Sequence, residues 1–136
     1  MKKILGVSHP IPKKFAERIY NHGKNVFVSK KSLKKAIKGD KFLIYESRGS
    51  HAYTGWADII SNGLEKTDEI LKKYENNLIV TKNEFIEYSK NRSEMNIIQF
   101  ENFEKFKKPV PPNRFVSIGG KYIYEDEFKM IKSNKG

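Results

Sequence analysis

The sequence contains no cysteine, and this absence excludes several kinds of chemistry. Disulfide scaffolds, thiolate zinc sites and thiol nucleophiles all require that side chain. The three histidines, His9, His22 and His51, show neither the H-x-H nor the H-E-x-x-H spacing of metal ligands. We therefore expect neither a metal ion nor a cofactor.

Long apolar runs are also missing. The uncharged apolar stretches extend over only a few residues, whereas a helix that crosses a bilayer needs about 20. The stretch after Lys2 and Lys3 is too short for a signal peptide, and no small-residue cleavage site follows it. Hydrophobic residues make up 38% of the 136 positions and aromatic residues 12%, which is enough for one core. We expect a single soluble domain, residues 1–136, in the cytoplasm and without membrane contact.

Acidic residues are scarce in the first third of the chain. Overall, 27 basic and 16 acidic side chains give a net charge of +11. Residues 1–48 hold 13 basic and 3 acidic side chains, so a net charge of +10 lies in this segment. A lysine bias of the whole genome would spread the excess evenly. The concentration instead favours a polyanionic partner such as nucleic acid.

Hydrophobic patterning predicts the elements of the first half. A strand over Ile4–Ser8 is expected to stop at Pro10 and Pro12, and a helix follows over Lys13–His22. Gly23 is suited to close that helix in the left-handed conformation. Further elements are a strand over Asn25–Ser29, a short helix over Leu33–Lys38 that buries Leu33, Ala36 and Ile37, and strands over Lys41–Glu46 and Tyr53–Ile60.

The predicted helix Leu33–Lys38 would present a row of lysines. Lys30, Lys34 and Lys38 stand at i, i+4 and i+8, and Lys31 and Lys35 lie beside them. Like charges at this spacing repel each other unless an anion lies across them. We interpret the five lysines as a phosphate-binding surface.

The second half is predicted from turn and cap signals. Asn62-Gly63 indicates a turn, and Thr81 with Glu84 forms a capping box that opens a helix through Ser89. The remaining predictions are a helix over Thr67–Tyr74 capped by Thr67, a strand over Met95–Phe106 with an irregularity near Asn102, a stiff connection at Pro109, Pro111 and Pro112, a strand over Phe115–Ile118, and a closing helix over Tyr124–Lys132.

The stretch KGDKFLIYESRGSHAYTGWADI, residues 38–59, and the closing GGKYIYEDEF, residues 119–128, resemble the corresponding segments of the PUA-like superfamily, which includes the PUA, ASCH, EVE and YTH domains. Taken whole, the chain resembles an archaeal family of single-domain PUA-like proteins. The resemblance implies an α+β fold, a small, twisted, partly closed β-barrel with peripheral helices, over most of the chain.

The ASCH branch of that superfamily carries a G-x-K-x-x-E-x-R signature after its first helix. The matching stretch begins at Gly23 but has Asn25, Val28 and Lys30 where the signature has Lys, Glu and Arg. The resemblance therefore gives no support for hydrolysis by this chain.

A group of aromatic and basic residues around the third and fourth strands is the predicted base-binding site. Tyr45, Arg48, His51, Tyr53 and Trp56 combine rings that stack on a base with an arginine that contacts phosphate. The alternative is that the strand aromatics Tyr45, Tyr53 and Trp56 pack in the core. An aspartate, Asp58, on the face of Trp56 favours the first interpretation.

His9 and Lys13 are candidate anion contacts, because free N–H groups at the start of the first helix favour a phosphate there. Ser8 next to His9 does not form a catalytic pair, since neighbouring strand residues point to opposite faces.

The expected function is that of a non-enzymatic PUA-like protein that binds RNA and holds a modified or extruded base; the preference for RNA over DNA comes from the resemblance, and DNA stays open as a partner. Two alternatives remain at this point. One is an ASCH-type hydrolase or ribonuclease acting on RNA or nucleosides, and the other is a module that docks on the ribosome or another partner. Nothing in the sequence indicates an oligomeric state.

Overall fold

The structure is a computed structural model of the chain. It describes residues 3–48, 50–113, 116 and 120–136, and it describes Arg48 by its backbone only. The described residues form six strands and four helices, which are β1 (Ile4–Pro12), α1 (Lys13–His22), β2 (Val26–Ser29), β3 (Lys41–Arg48), β4 (Tyr53–Lys66), α2 (Thr67–Tyr74), α3 (Lys82–Tyr88), β5 (Glu94–Val110), β6 (Lys121–Tyr124) and α4 (Glu125–Asn134). One sheet in the order β2-β5-β4-β3-β1-β6 curls into a half-barrel with the helices around it. The predicted α+β, PUA-like architecture is confirmed.

Strand β1 continues through both prolines, so the predicted stop at Pro10 was wrong. On one side β1 pairs in parallel with β3 as far as Pro12, but on the other side β6 pairs only with Ile4–Ser8. Within the described residues β1 therefore makes no pairing with β6 at Pro10 and Pro12, and a strand edge without such pairing tolerates a residue that has no N–H group.

The predicted helix over Leu33–Lys38 was wrong. Residues 30–40, which we call the lysine loop, contain only turns and bends. Leu33 and Ala36 are buried as predicted, but Ile37 is 66% exposed. The i, i+4, i+8 lysine row therefore does not exist as a helical ridge, although all five lysines are exposed.

Strands β4 and β5 form a long antiparallel ribbon that extends beyond the predicted strands. Asn62 and Gly63 lie inside β4 and pair with β5, so the predicted turn at these residues was wrong. The predicted irregularity near Asn102 is confirmed, because Asn102 has a φ of 55° and the pairing register shifts between Trp56 and Asp58. The extra residue on β5 bends the ribbon there.

The helix ends follow most of the predicted signals. Helix α1 has the predicted bounds and ends at Gly23 in the left-handed conformation, with a φ of 65°. The capping box of Thr81 and Glu84 is present at α3. Thr67 does not cap α2, because Lys66 is the N-cap residue and makes no side-chain cap bond.

In the C-terminal part the elements begin at other residues than predicted. Helix α4 begins at Glu125, and the residues before it form β6, a strand the patterning did not predict. Of the predicted strand Phe115–Ile118, only Val116 lies within the described residues, where it is buried.

Three apolar clusters make up the core. The first lies between α1 and the sheet, around Phe42. The second lies between α4 and the other face, around Trp56, and the third lies under α2 and α3, around Met95. None of the described helices is long and apolar enough to span a membrane.

Candidate functional site

A cavity of about 630 Å³ opens where the end of β1, helix α1, strand β2 and helix α3 meet. Its walls are mainly apolar and include Ile11, Phe15, Phe27 and Val80. Ligand pockets in proteins typically measure about 300–1,000 Å³ and combine apolar walls with a few polar groups. The cavity has the size and lining of a site for a small molecule or a single nucleotide.

His9 is a buried polar residue in the lining of this cavity. Its ring lies 4.8 Å from that of Phe27, centroid to centroid, and the side chain is almost fully buried. Burial lowers the pKa of His9 to about 4, so the imidazole is neutral at pH 7. Its Nε2 atom has no hydrogen-bond partner among the residues that the structure describes. A buried polar atom without a partner is costly, and a ligand that hydrogen-bonds to it would remove that cost.

An ion pair between α1 and α3 holds together the wall of the cavity that these two helices form. Arg18 of α1 donates from Nη1 to Oε1 of Glu84 at 2.6 Å and from Nη2 to Oε2 at 3.2 Å. Nη1 also donates to the carbonyl oxygen of Ile79 at 2.9 Å. The hydrogen bond from Arg18 holds the pKa of Glu84 down at about 2, so this carboxylate stays charged and paired.

The mouth of the cavity carries two of the predicted lysines. Lys30 and Lys31 line it. The Nζ atom of Lys30 lies 4.9 Å from the ring centroid of Tyr88, and the Lys30 amide donates to the Tyr88 hydroxyl at 3.2 Å. The cavity thus opens between an aromatic ring and cationic side chains.

The other three lysines continue from this mouth along the lysine loop. Lys34, Lys35 and Lys38 are exposed, and the amide of Lys35 donates to the hydroxyl of Tyr122 at 3.1 Å. The structure therefore places all five predicted lysines on one loop that begins at the cavity.

The predicted basic residues Arg48, His51 and Lys13 lie on three different segments of the chain. The backbone of Arg48 pairs with Pro12 at the end of β1, and its side chain lies outside the described residues. His51 is exposed and adopts a positive φ of 53°. Lys13 is exposed at the first position of α1. Neither His51 nor Lys13 is among the residues that line the cavity.

The predicted aromatic residues of the site lie in the second core cluster. Trp56 is 5% exposed, stacks on Phe128 at 5.3 Å, and meets Phe106 edge-on at 5.4 Å. Tyr53 and Tyr45 are buried in the same cluster. Asp58, which argued against a core position for Trp56, forms a 2.7 Å ion pair with Lys41 at the edge of the cluster. The rings are not brought to the cavity.

The cavity residues that the sequence interpretation missed include Phe15, Phe27, Val80 and Tyr88. Their pattern indicated only the buried side of a helix or strand. The stretch after Gly23 could have indicated the cavity. Val28 and Lys30 stand at two positions of the ASCH signature G-x-K-x-x-E-x-R, and both line the cavity. The described residues contain no group of three or more metal-ligating side chains.

The fold defines the class of protein. Over 96% of this chain and 95% of the other, the structure superposes on the ASCH protein of Zymomonas mobilis with a TM-score of 0.85 and 12% sequence identity. Crystal structures of two point variants of that protein match with TM-scores of 0.86, at 11% and 12% identity, and cover 96% and 98% of this chain and 98% of each variant. The chain has an ASCH, PUA-like fold.

The sequence gives the family. Residues 4–125 match the domain of unknown function DUF365, and the chain belongs to this family. An archaeal relative, "Uncharacterized protein MJECS03" of Methanocaldococcus jannaschii, is 34% identical over 103 residues, which cover 67% of this chain and 95% of the relative. The expected likeness to an archaeal family is confirmed.

Proposed function

We propose that the protein binds nucleic acid, RNA in preference to DNA, with the backbone along the lysine loop and one unstacked base in the cavity. The observation that carries this proposal is the continuity of the two surfaces, since Lys30 and Lys31 belong to the lysine loop and also line the cavity. The fold supports the proposal, because RNA binding is what the PUA-like resemblance implies. The preference for RNA rests on that resemblance.

Each part of the site matches one part of a nucleotide. The lysine ammonium groups neutralise phosphates, which supplies affinity without sequence preference. The rings of Phe15 and Tyr88 line the cavity, and a base that stacks on them would share them with the cations of Lys14 and Arg18 at Phe15 and of Lys30 at Tyr88, each 4.9 Å from the ring centroid. The unpartnered Nε2 atom of His9 offers one hydrogen bond, which gives a means of distinguishing bases.

Binding without turnover is the form we propose. Asn25, Val28 and Lys30 replace the Lys, Glu and Arg of the ASCH signature, and the side chain of Asn25 instead donates to the carbonyl oxygen of Phe100 at 3.2 Å. Labelled RNA and free nucleosides incubated with the protein should be recovered intact. Cleavage that co-elutes with the protein and disappears in a His9→Phe variant would favour the hydrolase instead.

The test compares two half-buried phenylalanines. Binding of a fluorescein-labelled, 12-nucleotide single-stranded RNA of random sequence is followed by anisotropy for the wild type, Phe15→Ala and Phe103→Ala. Phe15 lines the cavity, whereas Phe103 stacks on Tyr20 outside it. We expect Phe15→Ala to weaken binding by about 1–3 kcal/mol, the size of one lost base stack, and Phe103→Ala to leave binding nearly unchanged.

The alternatives predict other results. Equal affinities for wild type and Phe15→Ala, with a strong salt dependence, would indicate a docking module that contacts phosphates but takes no base. No measurable binding to RNA or DNA at low salt would refute the proposal.

A further inference from the structure

The lysine loop has no helix or strand, yet side chains from the sheet hold its backbone at several points. Asn62 of β4 donates from Nδ2 to the carbonyl oxygens of Leu33 and Ala36, both at 3.0 Å. Asn62 lies inside a long strand, so its position is set by the pairing of β4 with β5. Two carbonyl groups of the loop are therefore fixed to the sheet.

A second asparagine connects this anchor back to the loop. Asn96 of β5 is fully buried and donates from Nδ2 to Oδ1 of Asn62 at 2.9 Å. Its own Oδ1 accepts a hydrogen bond from the hydroxyl of Ser32 at 3.2 Å. The network thus starts at Ser32, passes through both asparagines and ends at Leu33 and Ala36, so both of its ends lie on the loop.

We propose that Asn62 and Asn96 are positioning residues that hold the lysine loop in its phosphate-binding conformation before the ligand arrives. This inference rests on the proposed function. A free loop of this length would lose conformational entropy when its lysines engage phosphates, and that loss would weaken binding. Like-charged lysines also favour an extended loop, and the two asparagines oppose that tendency through neutral hydrogen bonds.

The choice of asparagine follows from the geometry. One amide group donates two hydrogen bonds and accepts others, so a single side chain serves both loop carbonyls and the neighbouring amide. A carboxylate at position 62 would face the carbonyl oxygens of Leu33 and Ala36 without a proton to donate. An apolar side chain would leave Asn96 with a buried donor and no partner, which is costly.

The test separates affinity from salt dependence. Binding of the same 12-nucleotide RNA is measured for the wild type, Asn62→Ala, Ser32→Ala and Asn25→Ala between 50 and 300 mM salt. Asn25 is the matched control, because it makes comparable hydrogen bonds to Phe100 and Asn77 away from the loop. Ser32→Ala removes one end of the network and is the milder variant if Asn62→Ala does not fold.

We expect Asn62→Ala to bind about three- to tenfold more weakly, because the loop must then be ordered on binding. The slope of log affinity against log salt should stay unchanged, since the same lysines still meet phosphates in the complex. Amide hydrogen exchange of residues 33–37 should be faster than in the wild type. Asn25→Ala should keep wild-type affinity and wild-type exchange in the loop.

Three results would overturn the inference while leaving the proposed function intact. They are wild-type affinity in both network variants, an equal loss in Asn25→Ala, and a lower salt slope in Asn62→Ala, which would mean lost phosphate contacts rather than lost order. A wild-type protein that binds no RNA would instead refute the proposed function, and with it this inference.

Discussion

His9 combines the three properties that distinguish the cavity from an ordinary gap between elements. It is buried against Phe27 and Phe42, its pKa is lowered to about 4, and its Nε2 atom has no partner within the described part of the chain. A phenylalanine at this position would keep an aromatic ring beside Phe27 and Phe42 but would carry no titratable group. The histidine therefore lowers stability at acid pH, because the folded protein takes up its proton only near pH 4.

Replacement of His9 by phenylalanine should change the pH dependence of stability. The unfolded chain takes up a proton on His9 near pH 6.5, whereas the folded protein does so only near pH 4. The free energy of unfolding should therefore fall, as the pH drops from 7 to 4, by up to about 3 kcal/mol more in the wild type than in His9→Phe. Urea denaturation at several pH values measures this difference.

His22 is the control for that experiment, because it is exposed at the end of α1. His22→Gln should keep the fall in stability between pH 7 and 4 that is caused by the buried His9. Identical pH curves for wild type and His9→Phe would contradict the neutral state of the buried imidazole.

Trp56, which the sequence suggested as a base-binding residue, is packed in the second core cluster. Its ring is covered by Phe106 and Phe128, and its Nε1 donates to Oε1 of Glu104 at 3.1 Å. The Nζ atoms of Lys41 and Lys135 lie 4.8 and 5.6 Å from the ring centroid. No face of the ring is left for a base.

Trp56→Ala should destabilise the protein by about 3–5 kcal/mol, as expected for a large ring removed from a packed core. Thermal or urea denaturation measures this loss. Because Trp56 is the single tryptophan of the chain, its fluorescence should not respond to saturating RNA. A mild loss of stability together with a quenched signal on RNA binding would show instead that the ring meets the ligand.

At the scale of elements, the wall of the cavity depends on the attachment of α3 to α1. The guanidinium of Arg18 and the carboxylate of Glu84 make two hydrogen bonds between the helices, and Glu84 also completes the capping box of α3. Helix α3 has only seven residues and is too short to be stable by itself. Its position therefore relies on such tertiary contacts.

Glu84→Gln should lower the free energy of unfolding by about 1–2 kcal/mol at pH 7, because it weakens charge-assisted hydrogen bonds that are partly shielded from water. The pKa of Glu84 is lowered to about 2. Its contribution is therefore present above about pH 4.5 and is lost as the pH falls towards 2. Thermal melting across this range should show the two proteins converging at low pH.

Glu87→Gln supplies the comparison, since Glu87 is exposed on the same helix. That variant should melt like the wild type at every pH. A constant difference between Glu84→Gln and the wild type from pH 7 to 2 would mean that the ion pair is not the source of the effect.

At the scale of the whole molecule, five basic side chains are concentrated in one region of the surface. The lysine loop carries five exposed lysines and leads into the mouth of the cavity. Exposed lysines also stand on α4 and at the end of β5, outside that loop. Only the position of the lysines, and not the net charge, distinguishes a binding surface from a generally basic protein.

Two triple variants with equal net charge test this distinction. Lys30, Lys34 and Lys38 changed together to glutamine should lower the slope of log affinity against log salt by up to about 2, since each phosphate contact on a single strand contributes about 0.7. The same change at Lys108, Lys129 and Lys132 should have little effect. Equal slopes for the two triple variants would show that the attraction is not localised, and circular dichroism confirms that both remain folded.

Much of the local structure could be predicted from the sequence. The bounds of α1 followed from an apolar stripe between a proline and a glycine, and the start of α3 followed from the capping box. Both depend on residues within a few positions of each other. The fold class followed from residues 38–59, whose order of turn and strands resembles the PUA-like superfamily.

The lysine loop and the strand β1 show where such prediction fails. The spacing of Leu33, Ala36 and Ile37 is helical, but hydrogen bonds that the loop makes with the side chains of Asn62 and Tyr122 hold it in turns instead. Pro10 stays in a strand because β6 pairs with a different part of β1. In both cases the competing contacts come from residues that are distant in sequence.

The sequence by itself determined the family, the charge of the first third and the exposure of its lysines, because these depend on composition and short patterns. Only the tertiary structure decided which aromatic residues form a cavity. Phe15, Phe27 and Tyr88 come from three separate elements, and the same apolar character suits them for a core or for a ligand. Trp56 is buried because α4 packs over it, whereas Phe15, Phe27 and Tyr88 line a cavity because the elements that carry them do not close on one another.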